Sequence, residues 1–280
     1  MRILSWNIKQ FNFAPNKSYE EQQFRIHQIA AFIADCRPDI VAIMEIRPGT
    51  SKGSVNEQME HSQGALATEQ LMSYIGGNMR VAFSGINAVK QPTAGELYAF
   101  IYNPATVELI GSPTVVYHDA DAKLSAFKNR APAFGTFAKL PERNVFSVAV
   151  FHAPKPSDMN VTQIQELGKL GAFDFGDLIL CGDFNMSTEN VGKALPGFST
   201  AIGGEGTSLR VNPDGHDNAY DAIFYLAGKH LQCTNAGVLN PLEIVDEATS
   251  SDGLVKQEIS AVKRYTSDHA GVYADFTFVP

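Results

Sequence analysis

The chain has 280 residues, 44% of them hydrophobic and 19% charged, a composition that excludes disordered and fibrous classes. Its net charge of −8 argues against binding nucleic acid by bulk electrostatics, but leaves room for a carboxylate cluster that awaits a cation. The longest apolar runs fall far short of a membrane span.

Ile3 to Trp6 is short and β-prone, which predicts a strand ending at Asn7. The segment Met1–Asn7 lacks the apolar core and cleavage site of a signal peptide. Ser18 followed by Glu21 has the pattern of a capping box. It opens a predicted amphipathic helix with Phe24, Ile29, Phe32 and Ile33 turned inward, closed by Arg37-Pro38. Asp39 to Glu45 is a nearly continuous apolar run, as expected of a strand buried on both faces, and it ends in a carboxylate. Residues 49–64 read as polar loop, and Leu66 to Ile75 as a helix stopped by Gly76-Gly77.

Short strands are predicted at 81–83, 97–102 and 107–110, followed by a charged stretch with His118, Asp119 and Asp121. Residues 134–139 and 145–152 form a predicted strand pair joined by Pro141-Glu142-Arg143-Asn144. Val161 to Leu170 has helical spacing. In Leu178 to Met186 an apolar run stops at Gly182 and gives way to Asp183 and Asn185. Alternation on an extended backbone would point those two side chains the same way and turn Phe184 into the core. A glycine-rich loop is expected over 203–218, then strands at 222–226, around 231–238 and at 271–279, the last just after Ser267-Asp268-His269. No linker divides the chain, so one domain over 1–280 is expected, with α/β layers built on two sheets.

The three cysteines, Cys36, Cys181 and Cys233, show no CxxC spacing, and free thiols are expected. With no disulfide framework, a cytoplasmic location is expected over a secreted one.

Polar residues recur at strand ends. Asn7, Glu45, His152, Asp183 with Asn185, and Asp268 with His269 all sit at or just beyond a predicted apolar strand. Any one of them alone is compatible with a turn or a hydrogen-bonded surface residue. Five strand ends bearing ligand or proton-transfer groups point to one site, because active sites of sheet folds collect there.

The stretches Ser5-Trp6-Asn7, Asp39–Glu45, Leu97–Tyr102, Asn129-Arg130-Ala131-Pro132, Phe151-His152-Ala153-Pro154, Gly182-Asp183-Phe184-Asn185, Tyr220-Asp221 and Ser267-Asp268-His269 together resemble the DNase I-like endonuclease/exonuclease/phosphatase superfamily. The resemblance runs in the family's order over nearly the whole chain. It implies a four-layer α/β sandwich, two packed and mostly antiparallel β-sheets flanked by helices. It also implies a divalent-metal-dependent phosphodiesterase. Glu45, helped by Asn7 and Asp268, would bind Mg2+ or Mn2+, with Ca2+ a further candidate; hard oxygen ligands suit such ions.

In the same resemblance His269 backed by Asp221, and His152 backed by Glu96, form the acid–base pair, with His269 expected to activate water or hold the phosphate. Asp183 and Asn185 position nucleophile and phosphate, and Arg47 and Arg130 match positions that contact DNA. Tyr220-Asp221-Ala222-Ile223 resembles the nuclease form, although Ala222 stands where a basic residue is familiar. The cysteine pair of secreted DNase I is absent. The expected substrate is DNA, cut endonucleolytically with low sequence specificity because minor-groove readout is degenerate. The alternative on the same fold is a phospholipid or inositol-phosphate phosphodiesterase or phosphatase. A non-catalytic scaffold would be expected to have lost a histidine or metal carboxylate, and none is missing. No membrane association and no obligate protein partner are expected, and the chain should be a monomer. His118-Asp119-Ala120-Asp121 and His216-Asp217 are expected to be solvated surface.

Overall fold

Twelve strands form two six-stranded sheets in the computed structural model, which describes residues 1–13, 17–48, 62–85, 95–116, 127, 130–154, 159–172, 176–208, 218–239, 261, 263–264 and 266–279. The first sheet holds β1 (Arg2–Phe11), β2 (Ile40–Ile46), β3 (Arg80–Phe83), β4 (Leu97–Tyr102), β11 (Leu231–Leu239) and β12 (Gly271–Phe278), in the order β11-β12-β1-β2-β4-β3. The second holds β5 (Val107–Val115), β6 (Ala133–Lys139), β7 (Asn144–His152), β8 (Asp177–Asp183), β9 (Phe198–Ile202) and β10 (Asp221–Leu226), in the order β5-β6-β7-β8-β10-β9.

Each sheet has a single parallel pair at its centre, β1 with β2 and β7 with β8, and is otherwise antiparallel. A helix makes each parallel crossover: α1 (Tyr19–Cys36) links β1 to β2, and α3 (Met159–Gly168) links β7 to β8. Two further α-helices among the described residues are α2 (Gln63–Ile75) and α4 (Thr188–Ala194).

Side-chain alternation builds the layers. On β4, Tyr98, Phe100 and Tyr102 enter the core between the sheets, while Leu97, Ala99 and Ile101 join Ile26, Ile29 and Ile33 of α1 and Leu71 of α2 in a second core outside the first sheet. Ile164, Leu167 and Val191 bring α3 and α4 into the larger core with Leu178, Ile179, Leu180 and Cys181 of β8. The expected four-layer sandwich is present.

Two helix starts follow cap chemistry. Ser18 accepts from Glu21 N at 3.1 Å, and Ser62 accepts from Ala65 N at 3.0 Å. Helix α2 therefore begins inside the expected loop, and Gly64 within it is required by close approach, since a Cβ there would lie 2.3 Å from Arg47 O. Phe24 is not a core residue but 49% exposed, because at 100° per residue it falls opposite the face made by Ile26, Ile29, Ala30 and Ile33. Helix α4 and strand β9 were missed in the sequence: α4 is short, and β9 is mostly half-buried, so neither leaves a strong periodic signal.

Cys36 and Cys181 are buried free thiols, and burial pushes the first up to about 11 and the second to about 12. No helix among the described residues is long and apolar enough to cross a membrane.

Candidate active site

The C-terminal ends of both parallel pairs open onto the same cleft. On β1, Leu4, Trp6 and Ile8 face the helices, which leaves Asn7 on the opposite, inter-sheet side. Past Asn7 the register with β2 shifts, and Lys9 and Gln10 adopt left-handed φ of 44° and 45°.

Strand β2 uses a comparable break. Val41 and Ile43 face the helices, so alternation would bury Glu45 with them. Glu45 instead takes φ 60°, the register with β4 shifts between Ile43 and Ile46, and Ile46 fills the helix-side place. The carboxylate is thereby turned to the cleft. Non-glycine residues at positive φ cost energy and cluster where function holds them.

In the second sheet three side chains share one row. His152 pairs with Asp183 across the parallel pair, and Asp183 pairs with Asp221 across β8 and β10. Directly opposed residues on neighbouring strands are within reach of each other. Gly182 permits this row: it pairs with Phe151 at φ 149°, and a Cβ on it would lie 1.9 Å from Phe151 O.

Two histidine–carboxylate pairs result. His152 Nδ1 lies 2.8 Å from Glu96 Oε2, and the backbone N–H of His152 donates to the Tyr98 hydroxyl at 3.2 Å. Arg130 Nη1 lies 3.3 Å from His152 Nε2. A guanidinium can only donate, so Nε2 is the acceptor in that contact and the ring proton faces Glu96 from Nδ1.

In the second pair His269 Nδ1 lies 2.8 Å from Asp221 Oδ2, which also accepts from Thr207 Oγ1 at 2.7 Å. Trp6 Nε1–H donates to His269 O at 2.8 Å, and Ser267 Oγ receives His269 N–H at 3.1 Å, fixing the backbone behind the ring.

Both rings converge on Asp183. Its Oδ2 is 3.6 Å from His152 Nε2 and 3.7 Å from His269 Nε2, and Glu45 Oε1 is 3.7 Å from His152 Nε2. Asn7 Nδ2 donates to Glu45 Oε1 at 3.2 Å and to Asp183 Oδ2 at 3.1 Å, while its Oδ1 receives Lys9 N–H at 3.1 Å. An amide N–H thus stands between two carboxylates, where positive charge is wanted. Asn185, at φ 48°, donates from its backbone N–H to Asp183 Oδ1 at 2.9 Å and from Nδ2 to Ala153 O at 3.0 Å.

The charges are strongly biased. Burial pushes His269 down, but Asp221 and Asp183 more than offset it and raise the imidazole to about 10. Burial, reinforced by the Asp221 charge, raises Asp183, against the pull of both histidines. Glu96 is also opposed by burial, yet His152, Arg130 and Arg47 hold it below the ordinary carboxylate range. Shifts of this kind concentrate at functional sites.

Among the described residues two groups could hold a metal ion: Glu45 with Glu96 and His152, and Asp183 with Asp221 and His269. Asp268 belongs to neither. Its carboxylate is held by Lys9 Nζ at 2.6 Å, a pairing that, with the charge on His269, overcomes burial and keeps it below its usual range. Arg130 and Arg47 both reach Glu96 Oε1, at 2.9 and 3.4 Å.

Every site residue expected from the sequence lies in or beside the cleft. Tyr98, Thr207 and Lys9 were not anticipated. Tyr98 could have been flagged as a polar tip on a buried strand, but no local pattern marks Thr207 or Lys9. Asn129, the His118–Asp121 stretch and His216-Asp217 lie outside the described residues.

Among solved structures, the endonuclease/exonuclease/phosphatase from Bacteroides vulgatus superposes with a TM-score of 0.64 at 15% identity, over 99% of this chain and 98% of the other. This chain has the endonuclease/exonuclease/phosphatase fold. Other proteins with that fold include a mannosyl-6-phosphatase from Bacteroides thetaiotaomicron (TM-score 0.64, 16% identity, 99% and 100% coverage). D. rerio TDP2 complexed with a single-strand DNA product also matches (TM-score 0.62, 14% identity, 99% and 98% coverage). A curated relative, "Deoxyribonuclease" from Thioalkalivibrio sp. (strain K90mix), is 25% identical over 288 residues, covering 99% of this chain and 71% of its own length. No family model matches the chain. The fold carries several phosphoester chemistries, so it does not by itself choose a substrate.

Proposed function

We propose that residues 1–280 act as one domain and as a divalent-metal-dependent phosphodiesterase that cuts DNA endonucleolytically with low sequence specificity. The observation that carries this reading is the convergence of two carboxylate-backed histidines on Asp183 beside Glu45. The relative named deoxyribonuclease supports the choice of DNA.

The donor chemistry fits a hard cation. Glu45 and Asp183 would hold Mg2+ or Mn2+, with Asn7 alongside, and Asp268 could contribute once released from Lys9. When bound, the cation supplies Lewis-acid polarisation of a phosphate oxygen. His152 Nε2, its lone pair directed outward by the Nδ1–H bond to Glu96, would exchange its contact with Arg130 Nη1 for the attacking water and accept that water's proton. His269, raised to about 10 in the metal-free protein chiefly by Asp221, would donate from Nε2–H to anchor the phosphate and protonate the leaving 3′-oxygen. Of the two roles expected for His269, activating water or holding the phosphate, its charge supports the second, which leaves water activation to His152. Asp183 and Asn185 hold the phosphate and water in line, and Arg130 and Arg47 present a cationic rim to the strand.

The test is nicking of supercoiled plasmid in Mg2+, with an EDTA arm, by the wild type and by His152→Ala and His269→Ala. Loss of nicking in both folded variants is expected. Retained nicking by both would sink the assignment, and release of phosphate from phosphorylated lipids or sugars without DNA cleavage would decide for a phosphatase.

A further inference from the structure

A cavity of about 240 Å³ opens beside the catalytic cleft, where, among the described residues, five cations, Lys9, Lys17, Arg25, Lys263 and Arg264, line it with one carboxylate, Glu21. In a chain of net charge −8 this is a local reversal of sign. The cavity adjoins the centre through its own wall: Gln10 lines it and donates its backbone N–H to Glu45 Oε2 at 2.9 Å, and Lys9 lines it and bonds Asp268.

Arg25 anchors the reversal. Its guanidinium donates to the backbone carbonyls of Ile8, Lys9 (2.7 Å) and Thr266 (3.1 Å), and stacks 5.5 Å from the Phe11 centroid. Neutral carbonyls fix the group in place without cancelling its charge, so a positive wall persists. Glu21 is shared between Lys17 at 3.7 Å and Arg264 at 3.1 Å, and Lys9 is paired with Asp268 at 2.6 Å, so the wall's excess of positive charge rests on Arg25, held by neutral carbonyls, and on Lys263.

We propose that this cavity is a phosphate subsite for a neighbouring phosphate of the same nucleic-acid strand that lies in the catalytic cleft. This deepens the nuclease reading and rests on it. A second anchor one or more phosphates from the scissile bond fixes the strand's direction without reading base identity, because backbone contacts position and do not specify. It also makes substrate length matter: a dinucleotide reaches only the cleft, whereas a longer strand reaches both.

The test is binding of a fluorescein-labelled 16-base-pair duplex in EDTA, followed by anisotropy across a NaCl series. The wild type is compared with Lys17→Ala/Lys263→Ala and with a control, Lys139→Ala/Lys193→Ala. The expected result is about ten-fold weaker binding for the first pair and a salt slope shallower by roughly 1, at about 0.9 per phosphate contact, with the control unchanged. Inorganic phosphate should compete with the duplex for the wild type and less well for the first pair. Both lysine pairs should hydrolyse a thymidine dinucleotide in Mg2+ at the wild-type rate.

Equal affinity and slope in wild type and the Lys17/Lys263 variant would overturn the subsite, as would absence of duplex binding by the wild type. Neither result touches the nuclease reading if plasmid nicking persists. Loss of nicking with an intact Lys17/Lys263 effect would retain the anion site and overturn the nuclease reading.

Discussion

His152 and His269 face each other across one atom, Oδ2 of Asp183, at 3.6 and 3.7 Å. A single carboxylate oxygen thus feels both proton-transfer groups, and replacing it changes both at once. Asp183→Asn keeps the shape and removes the charge. Plasmid nicking should fall by about 1000-fold or more, the scale of lost transition-state electrostatics. The His269 ring should also titrate lower by NMR. Nicking within ten-fold of wild type would show that Asp183 is only structural.

Glu96 is fully buried and bonds His152, Arg130 and Arg47. Removing one partner of a buried charged network leaves the others unpaired, at a cost of about 3–5 kcal/mol. Glu96→Ala should therefore lower the urea midpoint strongly with little change in slope. Glu96→Gln should fold better yet lose about 100-fold or more in rate, since it no longer holds the ring proton at Nδ1.

The pH dependence of the metal-free protein follows from His269. Its folded value, about 10, lies above the ordinary 6.5, so the stability it lends is complete below the unfolded value and is lost as pH rises through the folded one. Denaturation midpoints in EDTA should fall between about pH 7 and 10. In Asp221→Asn, which loses the main charge that raises the ring, that decline should flatten. An unchanged profile in the variant would assign the pH dependence elsewhere.

Metal binding should be visible without turnover. A ligand that binds only the folded state adds about 2.7 kcal/mol at 100 times its Kd. For a chain of 280 residues that raises the melting temperature by roughly 5 °C. Mg2+ should produce such a shift in the wild type and a much smaller one in Glu45→Gln.

Gly182→Ala places a methyl 1.9 Å from Phe151 O, at a φ of 149°. Nothing flexible can yield there, because the obstacle is backbone. The variant should lose about 3 kcal/mol or more, read by chemical denaturation, and any folded fraction should be inactive because the His152–Asp183 row is displaced.

Much of this was legible in the sequence because strands that run apolar and stop at a charged residue announce their ends. Ser18, Phe184, Asp183 and Glu45 sit where that reading put them. What could not be read is pairing. The partnership of Lys9 with Asp268 joins residues 259 positions apart, and Thr207 reaches Asp221 from a loop. The inversion at Glu45 was equally hidden, since alternation alone would have buried it. Asn7 was read as an oxygen ligand, whereas Lys9 N–H occupies its oxygen and turns its amide nitrogen toward the carboxylates.

Glu45 and Asp183 belong to different sheets, and those sheets meet below the cleft largely through apolar side chains, Met44 among them. Asp183 N–H donates to the Met44 sulfur at 3.4 Å, a soft contact from the residue next to Glu45. Thioether contacts have little directional demand, so the gap between the two carboxylates is set by how much volume fills the seam. A methylene added or removed at Met44, Phe100 or Phe151 would reset a distance that belongs to the chemistry above. The tolerances of the cleft are held by greasy spacers.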